Sequence, residues 1–209
     1  MCKKPIYLVS LVVVLSAIGS ASADLVAHWR LDETSGATAY DSSGNGNDGT
    51  LNGNPQWEAG MIGGALHLNG SSDYVRIPFS ESLRVLNRGD FTLTLWLNAD
   101  AIDKKHIVFQ QMDLNGLGRS WLTIGNGNAD NAIRTYVGGA WTVSGFVIEA
   151  GEWYHAAVVV TEGGGADSIQ VYVNGEPQGN PRQDSMEDCE GGLPYRLQQD
   201  FRYLHGRLS

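Results

Sequence analysis

The stretches that decide the fold are GEWYHAAVVV at positions 151–160 and IQVYVNG at positions 169–175. The first is an apolar run typical of a buried β-strand, and the second alternates apolar and polar residues as a half-buried strand does. Three glycines, Gly163 to Gly165, predict a turn between them. The second stretch ends in Asn174-Gly175, the strongest short-range signal for a β-hairpin. These residues predict strands at 153–161 and 169–173, with a tight turn after the second.

Similar strands recur along the chain, separated by Gly, Asn, Asp and Ser, and no sustained helical period appears. The clearest are Leu25 to Asp32 and Phe91 to Leu97, where apolar and other residues alternate. The remaining predicted strands are 65–69, 74–77, 106–112, 121–125, 133–137 and 141–148. About ten such strands, with no internal repeat or linker, predict an all-β fold, an antiparallel β-sandwich.

The first 23 residues have the organisation of a secretory signal peptide. Lys3 and Lys4 precede an apolar run at 6–18, and Ala21-Ser22-Ala23 is a small-residue cleavage pattern. We expect a mature domain over 24–209 that is secreted, or held at the cell surface or in the periplasm, without membrane insertion after cleavage. Cys2 leaves with the signal, so Cys189 has no internal disulfide partner; it either pairs between chains or is an inconsequential loop thiol.

The net charge of −9 becomes −11 once Lys3 and Lys4 are removed, because residues 1–23 contain no acidic residue. Such a surface repels nucleic acid and anionic lipid, so neither is an expected partner. Divalent cations and neutral glycans remain compatible with it.

Five blocks of sequence resemble, in order, those of the laminin-G-like jelly rolls in the concanavalin-A-like lectin/glucanase superfamily. They are LVAHWRLD at 25–32, DSSGNGNDG at 41–49, LNGSSDYV at 68–75, FTLTLWL at 91–97, and the pair WYHAA at 153–157 with YVNG at 172–175. The resemblance implies a jelly-roll sandwich, with Trp29, Trp96 and Trp153 in strands that the family uses for its core.

The resemblance weakens near the end of the sequence. Members usually close with a strand similar to F-x-G-x-I-D-E-V-R-I-Y beside the opening strand, whereas residues 201–209 resemble only the approach to it. Residues 181–192 are acidic and turn-rich, without family character. We therefore expect a jelly roll that is truncated or atypical after about residue 180, a fragment whose opening strand lacks part of its pairing.

Catalytic signals are weak. The glucanases of this superfamily use an E-x-D-x-E strand, which places alternate carboxylates on one face, and no such triplet is present. Glu149 and Glu152 straddle a predicted turn at Gly151, and the five histidines form no metal-binding motif. The pattern predicts a protein without enzymatic activity.

Calcium is the cofactor that the residues favour. Asp41, Asn45, Asn47 and Asp48 offer oxygen ligands in one short Gly-rich loop, and Asp73 is a lesser candidate. Jelly rolls of this type often hold a structural Ca²⁺. The alternative is an Asx-turn loop, in which the same side chains bond to their own backbone.

Three tryptophans outside the core blocks could present an aromatic surface to a sugar. These candidates are Trp57, Trp121 and Trp141. The leading hypothesis is a secreted, non-catalytic recognition or adhesion module that binds a glycan or an extracellular protein. A structural fragment of a larger surface protein and a glycoside hydrolase are the alternatives.

Overall fold

A computed structural model of the chain describes residues 24–83, 90–102, 105–112, 118–125, 131–137, 140–161, 167–184, 200–202 and 207–208. Side chains within these ranges are described except at 112, 118–121, 136–137, 140–141, 167, 180–184, 200–202 and 207–208. The predicted signal peptide, both cysteines and the predicted turn at Gly163 to Gly165 lie outside this description.

The described residues form strands and turns, with no α-helix among them. The strands are β1 (Thr38–Ala39), β2 (Gly49–Asn52), β3 (Gln56–Ala59), β4 (Gly64–His67), β5 (Tyr74–Ile77), β6 (Phe91–Ala99), β7 (His106–Met112), β8 (Gly118–Ile124), β9 (Ala132–Val137), β10 (Ala140–Val147), β11 (Trp153–Thr161), β12 (Asp167–Val173), β13 (Glu176–Asp184), β14 (Asp200–Arg202) and β15 (Arg207–Leu208). No helix in this part of the chain is long and apolar enough to span a bilayer.

Two sheets make a β-sandwich, which confirms the predicted fold class. One has eight strands in the order β1-β2-β5-β14-β7-β8-β9-β10, and the other has five in the order β13-β12-β11-β6-β15. The pairing is antiparallel except between β15 and β6. Strands β3 and β4 form a separate hairpin. Neighbouring strands such as β5, β14 and β7 are far apart in sequence, and such pairing is typical of a jelly roll.

The core lies between the inner faces of the two sheets. From the smaller sheet, Leu95 and Leu97 of β6 and Val158 of β11 are buried; from the larger sheet, Ile77 and Phe109 are buried with them. Burial of these and the other core side chains removes apolar surface from water, which is the main driving force for folding.

The stretch that decided the prediction forms the centre of the smaller sheet. Strand β11 pairs with β6 on one side and β12 on the other, in the continuous register Ala156↔Val173 to Thr161↔Ser168 with β12. A two-residue turn at Asn174 (φ 52°) and Gly175 (φ 85°) connects β12 to β13. Positive φ at both positions is the requirement of a type I′ turn, so the predicted hairpin is confirmed.

The predicted opening strand over Leu25 to Asp32 is wrong. Among the described residues, this segment makes a single isolated bridge, between Trp29 and Asp41, and belongs to no ladder of either sheet. Leu31 has φ of 56°, in the left-handed region, which ends an extended strand. Side chains of the 41–47 loop take the place of a neighbouring strand by bonding to the backbone of His28 and Val26.

The β3–β4 hairpin is tied to the rest of the fold at several points. The Gly64 backbone N–H donates to Asp32 Oδ1 at 2.9 Å, and the Trp57 indole N–H donates to the Gly36 carbonyl at 3.0 Å. His67 Nε2 lies 3.4 Å from Asp100 Oδ2, just beyond the end of β6. These contacts hold the hairpin close to the end of the smaller sheet.

Candidate functional site

An open cleft of about 380 Å³ lies where the β3–β4 hairpin meets the end of the smaller sheet. Its lining residues are Glu58, Ala59, Asn98, Gly151 and Trp153. We name this feature the Asn98 cleft. It combines a carboxylate, an amide, an indole and backbone atoms from three separate parts of the chain.

The sheet register explains why Asn98 and Trp153 meet there. Asn98 near the end of β6 pairs directly with Trp153 at the start of β11, so their side chains share one face of the sheet. Leu97 and Tyr154, the next residues inward, are buried in the core. Because strand side chains alternate, Asn98 and Trp153 occupy the outer face, opposite the core.

Asn98 contributes a hydrogen-bond acceptor that receives no donor from the described part of the chain. Its side chain is only 4% exposed. Its Nδ2 donates to the Gly151 carbonyl at 2.8 Å, which fixes the orientation of the amide. Its Oδ1 is buried and has no hydrogen-bond partner among the residues that the structure describes. A buried, unsatisfied acceptor costs free energy, so an acceptor lining a cleft is a natural point for a ligand donor to bind.

Trp153 and Glu58 form two further parts of the cleft. Trp153 is half-buried and lines the cleft. Glu58 is half-buried on β3, opposite Ala65 of β4, and its carboxylate makes no hydrogen bond or ion pair with the described residues. A half-buried tryptophan beside two side chains with oxygen acceptors suits a ligand with an apolar face and several hydroxyl donors.

The prediction that Trp96 and Trp153 are core residues is wrong. Both are half-buried and lie on the outer face of the smaller sheet, between core-facing neighbours. The Trp96 ring packs on His155, with centroids 5.3 Å apart, and the His155 backbone N–H donates to Asn174 Oδ1. Trp29, in contrast, does pack against the core. The apolar character of Trp96 and Trp153 predicted that they are buried, but the register between β6 and β11 places both side chains on the outer face of the sheet.

The three tryptophans predicted to bind a ligand do not form one surface in the described structure. Trp57 follows Gln56 on β3, packs against the core and is absent from the lining of the Asn98 cleft. Trp121 and Trp141 lie on β8 and β10, but their side chains are outside the described part of the chain. The ligand-binding prediction for these three residues therefore stays a prediction.

The predicted calcium loop at 41–48 is a dense hydrogen-bond network. Asn47, 2% exposed, donates through Nδ2 to the Val26 carbonyl at 2.9 Å and to Ser82 Oγ at 3.0 Å. Its Oδ1 accepts from the hydroxyls of Ser80 and Ser82. The Asn47 carbonyl accepts the Trp29 indole N–H at 2.7 Å. The loop therefore joins the N-terminal segment to the segment near residue 80.

Asp41 is saturated with donors. Its Oδ1 accepts the backbone N–H groups of His28 and Ser43, both at 2.9 Å. Its Oδ2 accepts the Ser43 hydroxyl at 2.8 Å and the Asn47 N–H at 2.9 Å. Partial burial raises the pKa of Asp41, and these four hydrogen bonds together lower it by more than burial raises it. The pKa of Asp41 therefore lies below its ordinary value. A carboxylate has about four acceptor positions, and all four are filled here.

The remaining candidate ligands are also bonded within the protein. Asp48 Oδ1 accepts the Asp41 N–H, and Asn45 Nδ2 donates to the carbonyls of Leu25 and Val26. Among the described residues, no three His, Cys, Asp or Glu side chains are grouped so as to hold a metal ion. The donors around Asp41 do not fit a bound Ca²⁺, and they favour the Asx-turn alternative. The calcium prediction itself stays a prediction.

Asp73 belongs to a different network. It is 4% exposed, and its Oδ1 accepts the Asn54 N–H at 2.9 Å while its Oδ2 accepts the Asn69 N–H at 3.2 Å. Gly53 approaches it so closely that a Cβ there would lie 2.2 Å from Asp73 Oδ1. These contacts make Asp73 a structural residue that joins the loop after β2 to the loop before β5.

Comparison with known proteins gives the family. The Laminin_G_3 family model, described as the concanavalin A-like lectin/glucanases superfamily, matches residues 69–197. No curated protein matches the chain. Five chains of solved structures match, one of them titled "Binding domain of Botulinum Neurotoxin DC in complex with SialylT".

That likeness has a TM-score of 0.52 at 10% sequence identity, over 84% of this chain and 45% of the other. The chain thus spans less than half of the neurotoxin structure, and at this identity the likeness shows the fold alone. The family match covers more than half of the 209 residues. The chain therefore belongs to the concanavalin A-like lectin/glucanases superfamily.

Proposed function

We propose that this protein is a non-catalytic recognition module that binds carbohydrate in the Asn98 cleft. The observation that carries the proposal is the buried Oδ1 of Asn98, which has no hydrogen-bond partner among the described residues, beside the half-buried Trp153. A sugar hydroxyl would satisfy Oδ1, and a sugar C–H face would pack on the indole. The family and the complex of the neurotoxin binding domain with SialylT support a binding role.

The same cleft argues against glycoside hydrolysis. Glycosidases generally need two carboxyl groups on opposite sides of the scissile bond. Glu58 is the one carboxylate among the described lining residues, and Glu149 and Glu152 are exposed and outside that lining. We therefore propose a binding module without hydrolytic activity. Release of reducing sugar from a panel of polysaccharides, lost in Glu58→Gln, would contradict this.

The test of carbohydrate binding compares the mature protein with variants of the cleft on a glycan array, followed by calorimetry on any glycan bound. Asn98→Leu removes the acceptor at similar volume, and we expect at least a tenfold loss of affinity. Glu58→Ala removes a carboxylate that makes no bond within the described structure, so it changes the cleft without disturbing the fold. Thr94→Ala, exposed on the same face of β6, is the matched control and should bind as the wild type does.

Failure of the wild-type protein to bind any glycan would refute the proposal. Equal binding by wild type, Asn98→Leu and Glu58→Ala, all with wild-type melting temperatures, would place the site elsewhere on the molecule.

Export and an extracellular location are part of the same proposal and rest on residues 1–23. N-terminal sequencing of the secreted protein should start at Asp24. An extracellular protein is the alternative ligand, for the case in which no glycan binds.

A further inference from the structure

We propose that the Asn98 cleft selects uncharged, hydroxyl-rich sugars and rejects acidic ones, with Glu58 as the residue that determines the selectivity. This inference rests on the proposed function, because it specifies the class of sugar that the same cleft accepts.

The first argument is the hydrogen-bonding character of the cleft. The Nδ2 group of Asn98 is already bonded to the Gly151 carbonyl, so the buried oxygen is the amide atom that lacks a partner among the described residues. Glu58 presents a carboxylate, which only accepts hydrogen bonds when ionised. The polar side chains of the described lining therefore require donors from the ligand. Sugar hydroxyls can donate, whereas an ionised carboxylate or sulfate group cannot.

The second argument is charge. The described lining residues include one carboxylate, on Glu58, and no lysine, arginine or histidine. Glu58 makes no ion pair with the described residues. Arg207 of β15 is the backbone partner of Asn98, and its side chain lies outside the described part of the chain. A half-buried carboxylate is less screened by salt than an exposed one, so repulsion of an acidic ligand survives at physiological ionic strength. The formal net charge of −9 adds a longer-range repulsion that salt does screen.

The third argument is the position of Glu58. It lies on β3 next to Ala59, and both line the side of the cleft formed by the hairpin, whereas Asn98 and Trp153 come from the sheet. A sugar that bonds to Asn98 Oδ1 while packing on Trp153 would thus have the Glu58 carboxylate within the same cleft. An acidic substituent could avoid Glu58 only where it points out of the cleft.

The experiment measures affinity for matched sugar pairs that differ only in charge. Each neutral oligosaccharide bound on the array is compared with its uronate, in which the C6 hydroxymethyl group is oxidised to a carboxylate, and with its sialylated form. The proteins are wild type, Glu58→Gln and Glu149→Gln. The last is the matched control, because it removes the same unit of charge from an exposed residue that does not line the cleft.

We expect wild type to bind the neutral sugar at least tenfold more tightly than the uronate. Glu58→Gln should reduce this preference to within about threefold, and Glu149→Gln should leave it unchanged. High salt should weaken the preference only slightly, since the repulsion from Glu58 is local.

Each other outcome has a distinct meaning. Equal or tighter binding of the uronate or sialylated form overturns the selectivity while leaving carbohydrate binding intact. A preference that persists in Glu58→Gln, or that falls equally in Glu149→Gln, overturns the role of Glu58. Absence of binding to every sugar overturns the proposed function together with this inference.

Discussion

Replacing Asp41 with asparagine tests the interpretation of the 41–48 loop as a structural network. The wild-type carboxylate accepts four hydrogen bonds of 2.8–2.9 Å, from the N–H groups of His28, Ser43 and Asn47 and from the Ser43 hydroxyl. An asparagine keeps one oxygen, so two of these bonds are lost and an N–H group faces two other donors. A hydrogen bond to a charged group contributes about 1.5–3 kcal/mol, and the site is partly exposed.

We therefore expect Asp41→Asn to lower the free energy of unfolding by about 2–3 kcal/mol. In a domain of this size, that corresponds to a fall of about 4–12 °C in melting temperature. Asp48→Asn is the matched control: Asp48 is exposed, and its Oδ1 accepts the one bond from the Asp41 N–H, which an asparagine oxygen can also accept. Its effect should stay within about 0.5 kcal/mol.

The pH dependence gives a second, independent readout. The folded-state pKa of Asp41 is lowered, because its four hydrogen bonds outweigh the desolvation that raises it. Its stabilising contribution is therefore present above the unfolded-state pKa, about 3.9, and is lost as the pH falls through the lower folded-state value. Urea unfolding at pH 7 should separate wild type from Asp41→Asn, and the difference should shrink below about pH 4. Equal stability at pH 7, or a difference that does not depend on pH, would refute the reasoning.

Three further predictions concern stability and metal binding. Asn47→Ala should destabilise the protein by about 2–4 kcal/mol in urea unfolding, because it removes four side-chain bonds of a residue that is 2% exposed; a loss below about 1 kcal/mol would contradict the network. Gly53→Ala should cost more than Gly36→Ala in the same assay: both have positive φ, but an added Cβ meets Asp73 Oδ1 at 2.2 Å in the first and open space in the second. Equal losses would show that backbone strain alone matters. If the donors around Asp41 exclude Ca²⁺, the melting temperature should be the same in calcium and in chelator, whereas a rise with calcium that Asp41→Ala abolishes would establish the metal site instead.

Much of the fold could be predicted from the sequence, because strand formation depends on local patterns. The predicted boundaries 74–77, 106–112 and 153–161 match β5, β7 and β11 as the structure has them. The Asn174-Gly175 turn was equally predictable, because its positive φ angles restrict the residues that fit. The short strands β1, β2 and β3 escaped prediction, since two to four residues carry too little periodicity.

The candidate site could not be predicted in the same way. Asn98 and Trp153 are separated by more than fifty residues, and only the register between β6 and β11 makes them neighbours. The alternation within β6 places Asn98 opposite the core, but nothing in the sequence indicates that its Oδ1 lacks a donor among the described residues. That fact depends on Gly151 and on the hairpin carrying Glu58, which close around it from elsewhere in the chain.

The sequence by itself determined the all-β class, the central strands, the hairpin turn and the resemblance to a superfamily, because these depend on residue periodicity and on local backbone preference. The tertiary structure decided which donors surround Asp41, which face Trp96 and Trp153 occupy, and which residues line the Asn98 cleft. Hydrogen-bond satisfaction and side-chain exposure depend on strand register and on long-range packing. Those are properties of the whole folded chain, and no local stretch of sequence contains them.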